Sequence, residues 1–355
     1  MVNQQSKEKL MTSATMQALV WTAPREMQMQ TQDIPTPQPD EVLIRVAYAG
    51  ICGSELSGYL GHSALRVPPL VMGHEFSGTI AAVGSVVSDD LHEGQAVTVN
   101  PLYCTEPSEY QERGLDQLCP SRRLIGAHRP GAYAQYVTVP ASTVTVLPDT
   151  VSLRTGAMAE PVGCAVRIAE LAGDVAGQDC LVIGAGPIGL LAMQTLLLKD
   201  AGRVFIADTD GERLAMGGAL GGVAIDPKAD DVVSHVHDAT RQRGVVVAVD
   251  AVGLAITRAQ CISATMAAGT VIFSGLHEET STVPAADIIR REIVVRGSFA
   301  YSPANFAEAV ALLAEDKVRL DPWIVEAPLA DGGKWFDRLI DAPGNVSKVL
   351  LQPPA

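Results

Sequence analysis

The stretch that most constrains this chain runs from Cys180 to Asp208, CLVIGAGPIGLLAMQTLLLKDAGRVFIAD. A short apolar run, Cys180 to Ile183, stops at Gly184-Ala185-Gly186-Pro187-Ile188-Gly189. An apolar helix-like segment follows to Leu198, and a second run, Val204 to Ala207, ends on Asp208. Strand, glycine turn, helix and strand in that order predict a βαβ unit. Gly184 allows the tight turn, Gly186 lets backbone N–H groups approach a pyrophosphate, and Gly189 lets helix and strand pack closely. Pro187 suits a first helical turn, where its missing N–H is not needed, and the helix N-terminus offers partial positive charge to phosphates. Asp208 follows Gly189 by 19 residues. An acid at that strand end accepts hydrogen bonds from the adenosine ribose hydroxyls and repels a 2′-phosphate, so the expected cofactor is NAD over NADP.

At 355 residues, 47% hydrophobic and only 19% charged, the chain has ample core for two folded domains. Its net charge of −14 gives a nucleic acid or an anionic membrane no electrostatic hold. No apolar run reaches the length of a membrane span, and Met1 to Ser13 lacks the apolar stretch of a signal peptide. Residues 1–14 are expected to form a flexible tail. The six cysteines (52, 104, 119, 164, 180 and 261) are scattered, which suits reduced thiols and a cytoplasmic location.

Before the glycine loop the pattern is of short strands with Gly and Pro punctuation: 17–21, 41–46, 79–83, 95–99 and 133–139, a β-rich first domain ending near Pro148. Thr155 to Leu171 reads as a helix from its apolar spacing. Candidate strands at 180–184, 203–208, 223–226, 244–250, 270–274 and 292–297 then alternate with helices, which implies a doubly wound parallel sheet. A helix at 305–315 and a closing strand at 348–351 do not extend that alternation, so this last stretch is expected to return to the first domain.

Three motifs carry chemistry: Cys52-Gly53-Ser54-Glu55, Gly73-His74-Glu75 and Glu160-Pro161. A thiolate, an imidazole and a carboxylate from separate loops suit tetrahedral Zn²⁺ with one open position, as a catalytic site requires. Spacing alone does not establish this. Taken jointly, however, the chain resembles the zinc-dependent medium-chain dehydrogenase/reductase family. The match runs through Gly73-His74-Glu75-Phe76-Ser77-Gly78, Ala82 to Val87, the GAGPIG loop, Asp208, Asp250-Ala251-Val252-Gly253, Arg290-Arg291-Glu292 and Arg296-Gly297-Ser298. It covers nearly the whole chain after residue 15.

That resemblance implies a GroES-like β-rich catalytic domain over 15–158 and 299–355, with a Rossmann domain over 159–298. It implies one catalytic zinc held by Cys52, His74 and Glu160, with Glu75 either a ligand or an acid just outside the first set. In polyol-dehydrogenase relatives the Glu75-type residue tends to be the ligand, and both are kept. Ser54 would touch the reacting hydroxyl and relay its proton. Cofactor contacts would fall on Gly184, Gly186, Pro187, Ile188, Gly189, Asp208, Arg213, Val252 and Gly253. Backbone near Ser274-Gly275-Leu276 and Ser298-Phe299 would hold the carboxamide.

Two departures stand out. Glu55 replaces the family's usual Asp, the acid that orients the zinc-binding imidazole, and is one methylene longer. After Asn100, where relatives with a structural zinc carry four cysteines, only Cys104 and Cys119 occur. The lobe is therefore expected to be present without zinc. The family implies reversible oxidation of a secondary alcohol, and the motif combination leans toward polyols, sugar alcohols and their phosphates. Threonine or a simple secondary alcohol is the alternative substrate. A non-catalytic NAD-binding protein is a distant rival, and a zinc-free reductase would lack Cys52 and His74. A homotetramer or homodimer is expected.

Overall fold

The computed structural model describes residues 14–344 and 346–354, so the expected tail lies almost wholly outside the described residues. Chain contacts divide it into two units, one running to Glu160 and resuming at Ile324, the other Pro161–Trp323.

The first unit is all strands and short helices. Its strands are β1 (Thr15–Ala23), β2 (Glu26–Asp33), β3 (Glu41–Gly50), β4 (Leu70–Val71), β5 (Glu75–Val83), β6 (Ala96–Val99), β7 (Leu102–Cys104), β8 (Arg122–Leu124), β9 (Tyr136–Pro140) and β10 (Val144–Val146). β3 is buried at both ends and is the hub: it pairs antiparallel with β5 and with β9. The order β10-β6-β5-β3 continues into two strands from the far end of the chain described below. β1, β2 and β4 form a separate three-stranded sheet, and β7 with β8 a two-stranded one. Trp21, Ile44, Phe76 and Tyr133 lie in one apolar cluster, which fixes the loops between these strands.

The second unit carries β11 (Asp179–Ile183), β12 (Arg203–Ala207), β13 (Val223–Ile225), β14 (Val245–Asp250), β15 (Thr265–Phe273) and β16 (Val294–Gly297). All pairings are parallel, in the order β13-β12-β11-β14-β15-β16. β11 is buried at every residue, as a parallel strand covered on both faces must be. The sheet direction reverses beside β11, and open α/β sheets bind ligands at that switch point, off the carboxyl ends of the strands. The doubly wound sheet expected from the sequence is borne out.

β17 (Ile324–Pro328) and β18 (Lys348–Gln352) close the chain; β18 lies parallel to β17 and antiparallel to β3, inside the first unit. The expected second boundary at residue 299 moves to 324. The reason is local: the helix Pro303–Ala314 is tied into the second unit, where Asn305 Nδ2 donates to Glu170 Oε2 at 2.9 Å. Gln194 Nε2 likewise donates to Arg319 O at 3.1 Å. The single helix expected over 155–171 is two, Leu153–Gly156 and Ala159–Ala172.

Candidate metal and cofactor sites

Where β3 ends at Gly50, the chain turns through Ile51, whose N–H donates to Val349 O of β18 at 2.9 Å. Cys52 then caps α1 (Gly53–Tyr59). Eighteen residues after Glu55, Gly73 turns the chain at φ +102, and a Cβ there would lie 2.8 Å from Tyr133 N. Only glycine fits, and the turn delivers His74 and Glu75 into the interior, where they are 4% and 1% exposed. One ligand atom each from Cys52, His74 and Glu75 lie within 4.8 Å of one another, the sole such group found among the described residues. Glu160, 8% exposed near the start of helix α2 (Ala159–Ala172), falls outside that trio but close enough to Lys348 to act on its charge.

Glu55 reaches the His74 ring from behind. It is fully buried, and its Oε1 lies 2.7 Å from His74 Nδ1 and accepts from Gly73 N–H at 2.9 Å. Oε2 accepts from Cys52 N–H at 3.2 Å and from the Tyr133 hydroxyl. Burial works to raise its pKa, but the charge of His74 and these hydrogen bonds outweigh it and bring the carboxyl down to about 2. Glu55 is therefore ionised and can only accept, so Nδ1 carries the proton and Nε2 is left as the ligand atom. Burial alone would lower the proton affinity of His74, yet Glu55 and Cys52 raise it well above the usual range. The field at the ring favours a cation.

Two cations complete the surroundings. Lys348 is 2% exposed; its Nζ pairs with Glu75 Oε2 and donates to Ile51 O at 3.1 Å. Burial opposes its charge, and Glu75, Cys52 and Glu160 more than restore it, raising its pKa. Arg66 is 4% exposed and donates from Nη1 to Ser54 O at 3.1 Å and from Nη2 to Ser54 Oγ at 3.3 Å. Ser54 Oγ in turn donates to Cys52 Sγ at 3.4 Å. Glu55, Glu75 and Glu160 thus share these surroundings with Lys348 and Arg66. Sulfur, nitrogen and oxygen donors with a histidine held from behind fit zinc. Lys348, Arg66 and Tyr133 were not among the residues singled out from sequence.

In the second unit the predicted cofactor residues gather at the carboxyl ends of the parallel strands. Gly184 leaves β11 at φ +103. Gly186 caps helix α3 (Pro187–Leu198), with Pro187 in its first turn and Ile188 next. At Gly189 a Cβ would fall 1.7 Å from Gly184 O, so no other residue lets the helix meet the loop. Asp208 Oδ2 accepts from Ala185 N–H at 2.7 Å and Oδ1 from Asp210 N–H at 2.8 Å, which ties the end of β12 to the glycine loop. Buried Asp250 closes the turn after β14 by accepting from Val252 and Gly253 N–H at 3.1 and 3.0 Å. Ser274 and Gly275 N–H both donate to Asp250 O at 2.9 Å, Leu276 is 82% exposed, and Ser298 N–H donates to Phe273 O at 2.9 Å beside Phe299. Arg213 lies in the first turn of helix α4 (Gly211–Ala219), its Nε buried without a hydrogen-bond partner among the described residues.

The lobe expected after Asn100 is built on β7 and β8. Cys104 and Cys119 come together there, both as free thiols.

Comparison with known proteins agrees with this geometry. Residues 38–149 match the alcohol dehydrogenase GroES-like domain, and residues 187–315 match the zinc-binding dehydrogenase domain. The D-arabitol-phosphate dehydrogenase of Enterococcus avium is 31% identical over 349 residues, 96% of this chain and 98% of its own. Among solved structures, galactitol-1-phosphate dehydrogenase from Escherichia coli superposes with a TM-score of 0.87 at 29% identity, covering 95% of this chain and 100% of its own. A provisionally named zinc-binding dehydrogenase of Sinorhizobium meliloti 1021, bound to NADP, gives a TM-score of 0.90 at 30% identity, over 96% and 100%. The chain belongs to the zinc-binding medium-chain dehydrogenase/reductase family, on its polyol-dehydrogenase-like side, and is an oxidoreductase acting on alcohols. The resemblance read from the motifs is borne out.

Proposed function

We propose that this chain oxidises a secondary alcohol of a polyol, sugar alcohol or sugar-alcohol phosphate to the ketone, with NAD accepting the hydride. The observation that carries the reading is the Cys52–His74–Glu75 cluster, its ligand atoms within 4.8 Å and its imidazole fixed by Glu55. Cys52, His74 and a carboxylate, Glu75 or Glu160, would hold one Zn²⁺. When bound, zinc supplies Lewis acidity that lowers the pKa of an alcohol hydroxyl. Glu75 is better placed than Glu160, because it alone of the two belongs to the trio.

The chain's own groups then order the proton's path. Arg66 donates to Ser54 Oγ, so that oxygen's own hydrogen must point elsewhere, and in this structure it points at Cys52 Sγ. A substrate hydroxyl arriving beside Cys52 could give its proton to Ser54 Oγ as the exposed serine gives its own to solvent water. Asp208 supports NAD, since its carboxylate is held at the end of β12 beside the glycine loop by two backbone N–H groups and would repel a 2′-phosphate bound there. A second reading, NADP, rests on the unpartnered Nε of Arg213 and on the NADP-bound relative.

We further propose a cytoplasmic homotetramer or homodimer; edge strand β16, exposed along its four residues, is available for pairing. Among the described residues no helix is long and apolar enough to cross a membrane.

The test is metal analysis together with NAD and NADP reduction by D-arabitol, galactitol, their phosphates and 2,3-butanediol. One zinc per chain and reduction of NAD by a polyol or polyol phosphate are expected. Turnover of simple alcohols alone, or full activity in a zinc-free preparation, overturns the reading.

A further inference from the structure

The lobe between β7 and β8 holds chemistry that the alcohol reaction does not use. β7 ends on Cys104, whose ladder partner is Arg122 at the start of β8. The short turn Asp116–Leu118 brings the chain back so that Cys119 precedes β8. Cys104 Sγ lies 3.7 Å from Asp116 O, and Cys119 Sγ lies 3.8 Å from Glu106 O and 3.2 Å from Ser121 Oγ. Both cysteines close on one carbonyl: Cys119 N–H donates to Asp116 O at 3.0 Å, the same oxygen that lies 3.7 Å from Cys104 Sγ. Cys119 is fully buried and Cys104 half-buried.

We propose that Cys104 and Cys119 form an oxidisable dithiol that a hydroperoxide converts into a disulfide. The thiols are not equivalent. Burial would raise the Cys119 pKa, but the hydroxyls of Ser108 and Ser121 and the thiol of Cys104 pull it down to about 7. Every other buried thiol moves the opposite way: burial pushes Cys180 up to about 12 and Cys261 well above its ordinary value. Burial, with Cys119 beside it, pushes Cys104 up to about 12. Cys119 is thus the thiolate and Cys104 the proton-bearing partner, the division that a nucleophile and its resolving thiol require.

The steps balance. The Cys119 sulfur attacks one peroxide oxygen, the O–O bond breaks, and with one proton taken up the products are a sulfenic acid and water. The Cys104 sulfur then displaces the sulfenic oxygen as a second water, its own thiol proton leaving with it, and the S–S bond forms. Two electrons pass from the sulfurs to the peroxide oxygens. Cys119 is buried, and the groups beside it, Cys104 and Ser121, are partly exposed.

Trypsin cuts after Arg66, Arg113 and Arg122, which puts Cys104 on peptide 67–113 and Cys119 on peptide 114–122. The zinc-loaded, full-length chain is treated with hydrogen peroxide, quenched, alkylated in denaturant, digested and analysed by mass spectrometry. The expected result is a linked pair of these peptides, lighter by about 2 Da than their sum and separated by dithiothreitol. In Cys104→Ser the link disappears and dimedone traps a sulfenic acid at Cys119. In Cys119→Ser, Cys104 stays alkylatable. The proposal is overturned if both thiols of the wild-type chain remain alkylatable while other cysteines oxidise. It is equally overturned if a second metal ion per chain shields the pair. The wild-type experiment needs no variant to fold, and it is independent of which alcohol is the substrate.

Discussion

The loop cluster around Cys52 and the lobe around Cys104 both bring sulfur atoms into a polar pocket, and they have been equipped for opposite ends. At Cys52 the neighbours are an imidazole, carboxylates and two buried cations, all held in place by Glu55, Lys348 and Arg66. At Cys119 the neighbours are hydroxyls and a second thiol. What separates the two regions is the surrounding set of polar and charged groups, more than the sulfur itself. Neutral donors only tune a thiol, whereas an imidazole and carboxylates beside a sulfur form a donor set that a metal could take.

That contrast can be broken at either end. Cys52→Ser removes the one soft donor of the first cluster; zinc content should fall toward zero and turnover by about 10³-fold or more, with NAD binding retained. Retained turnover would take the metal out of the reaction. Lys348→Met leaves the Glu75 carboxylate buried without its partner, and urea unfolding of the metal-free variant should show a loss of about 3 kcal/mol. A stability equal to wild type would mean the lysine charge is dispensable. Glu55→Gln keeps an acceptor for His74 Nδ1 but drops the charge, so zinc affinity, measured by chelator competition, should weaken by about 10- to 100-fold.

Arg66→Gln is a milder change. It should lower kcat by about tenfold with zinc content and KM held, because the Ser54 hydroxyl loses its fixed direction; Arg66→Lys should recover part of the loss. At the far end of the scale, replacing Cys104 and Cys119 together with Ser should leave zinc stoichiometry unchanged and stability within about 1 kcal/mol of wild type. Loss of metal in that double variant would mean the two regions are not separate in kind.

The sequence disclosed the parts that are local in the chain. The glycine loop, its helix and Asp208 lie within one short segment, and the parallel sheet follows from apolar runs at regular intervals. Cys52 and His74 were visible because loop residues keep their motif neighbours. By contrast, Lys348 stands 297 residues from the Ile51 carbonyl it reaches, and nothing in Lys-Val-Leu-Leu-Gln announces a buried charge. Arg66 sits between Leu65 and Val67 in a loop without a motif. Strand β2, Glu-Met-Gln-Met-Gln-Thr-Gln-Asp, gives no strand signal because Thr31 is its one β-branched residue and it has no aromatic; it is held by its register with β1 and by Met27 and Met29 against the core. β17 and the helix Gly332–Asp341 were missed for want of a repeating context. The length of Glu55 could not be judged without the position of His74.

Lys348 and its strand also leave the ribosome after the whole of the second unit. Cys52, His74 and Glu75 are synthesised early, but the ammonium that balances Glu75 arrives only after the entire parallel-sheet unit has been translated. The strand that carries this ammonium docks antiparallel on β3, the hub of the first unit. In this protein the Cys52 cluster is completed by a strand that follows the parallel-sheet unit, so its assembly waits until that unit has been translated.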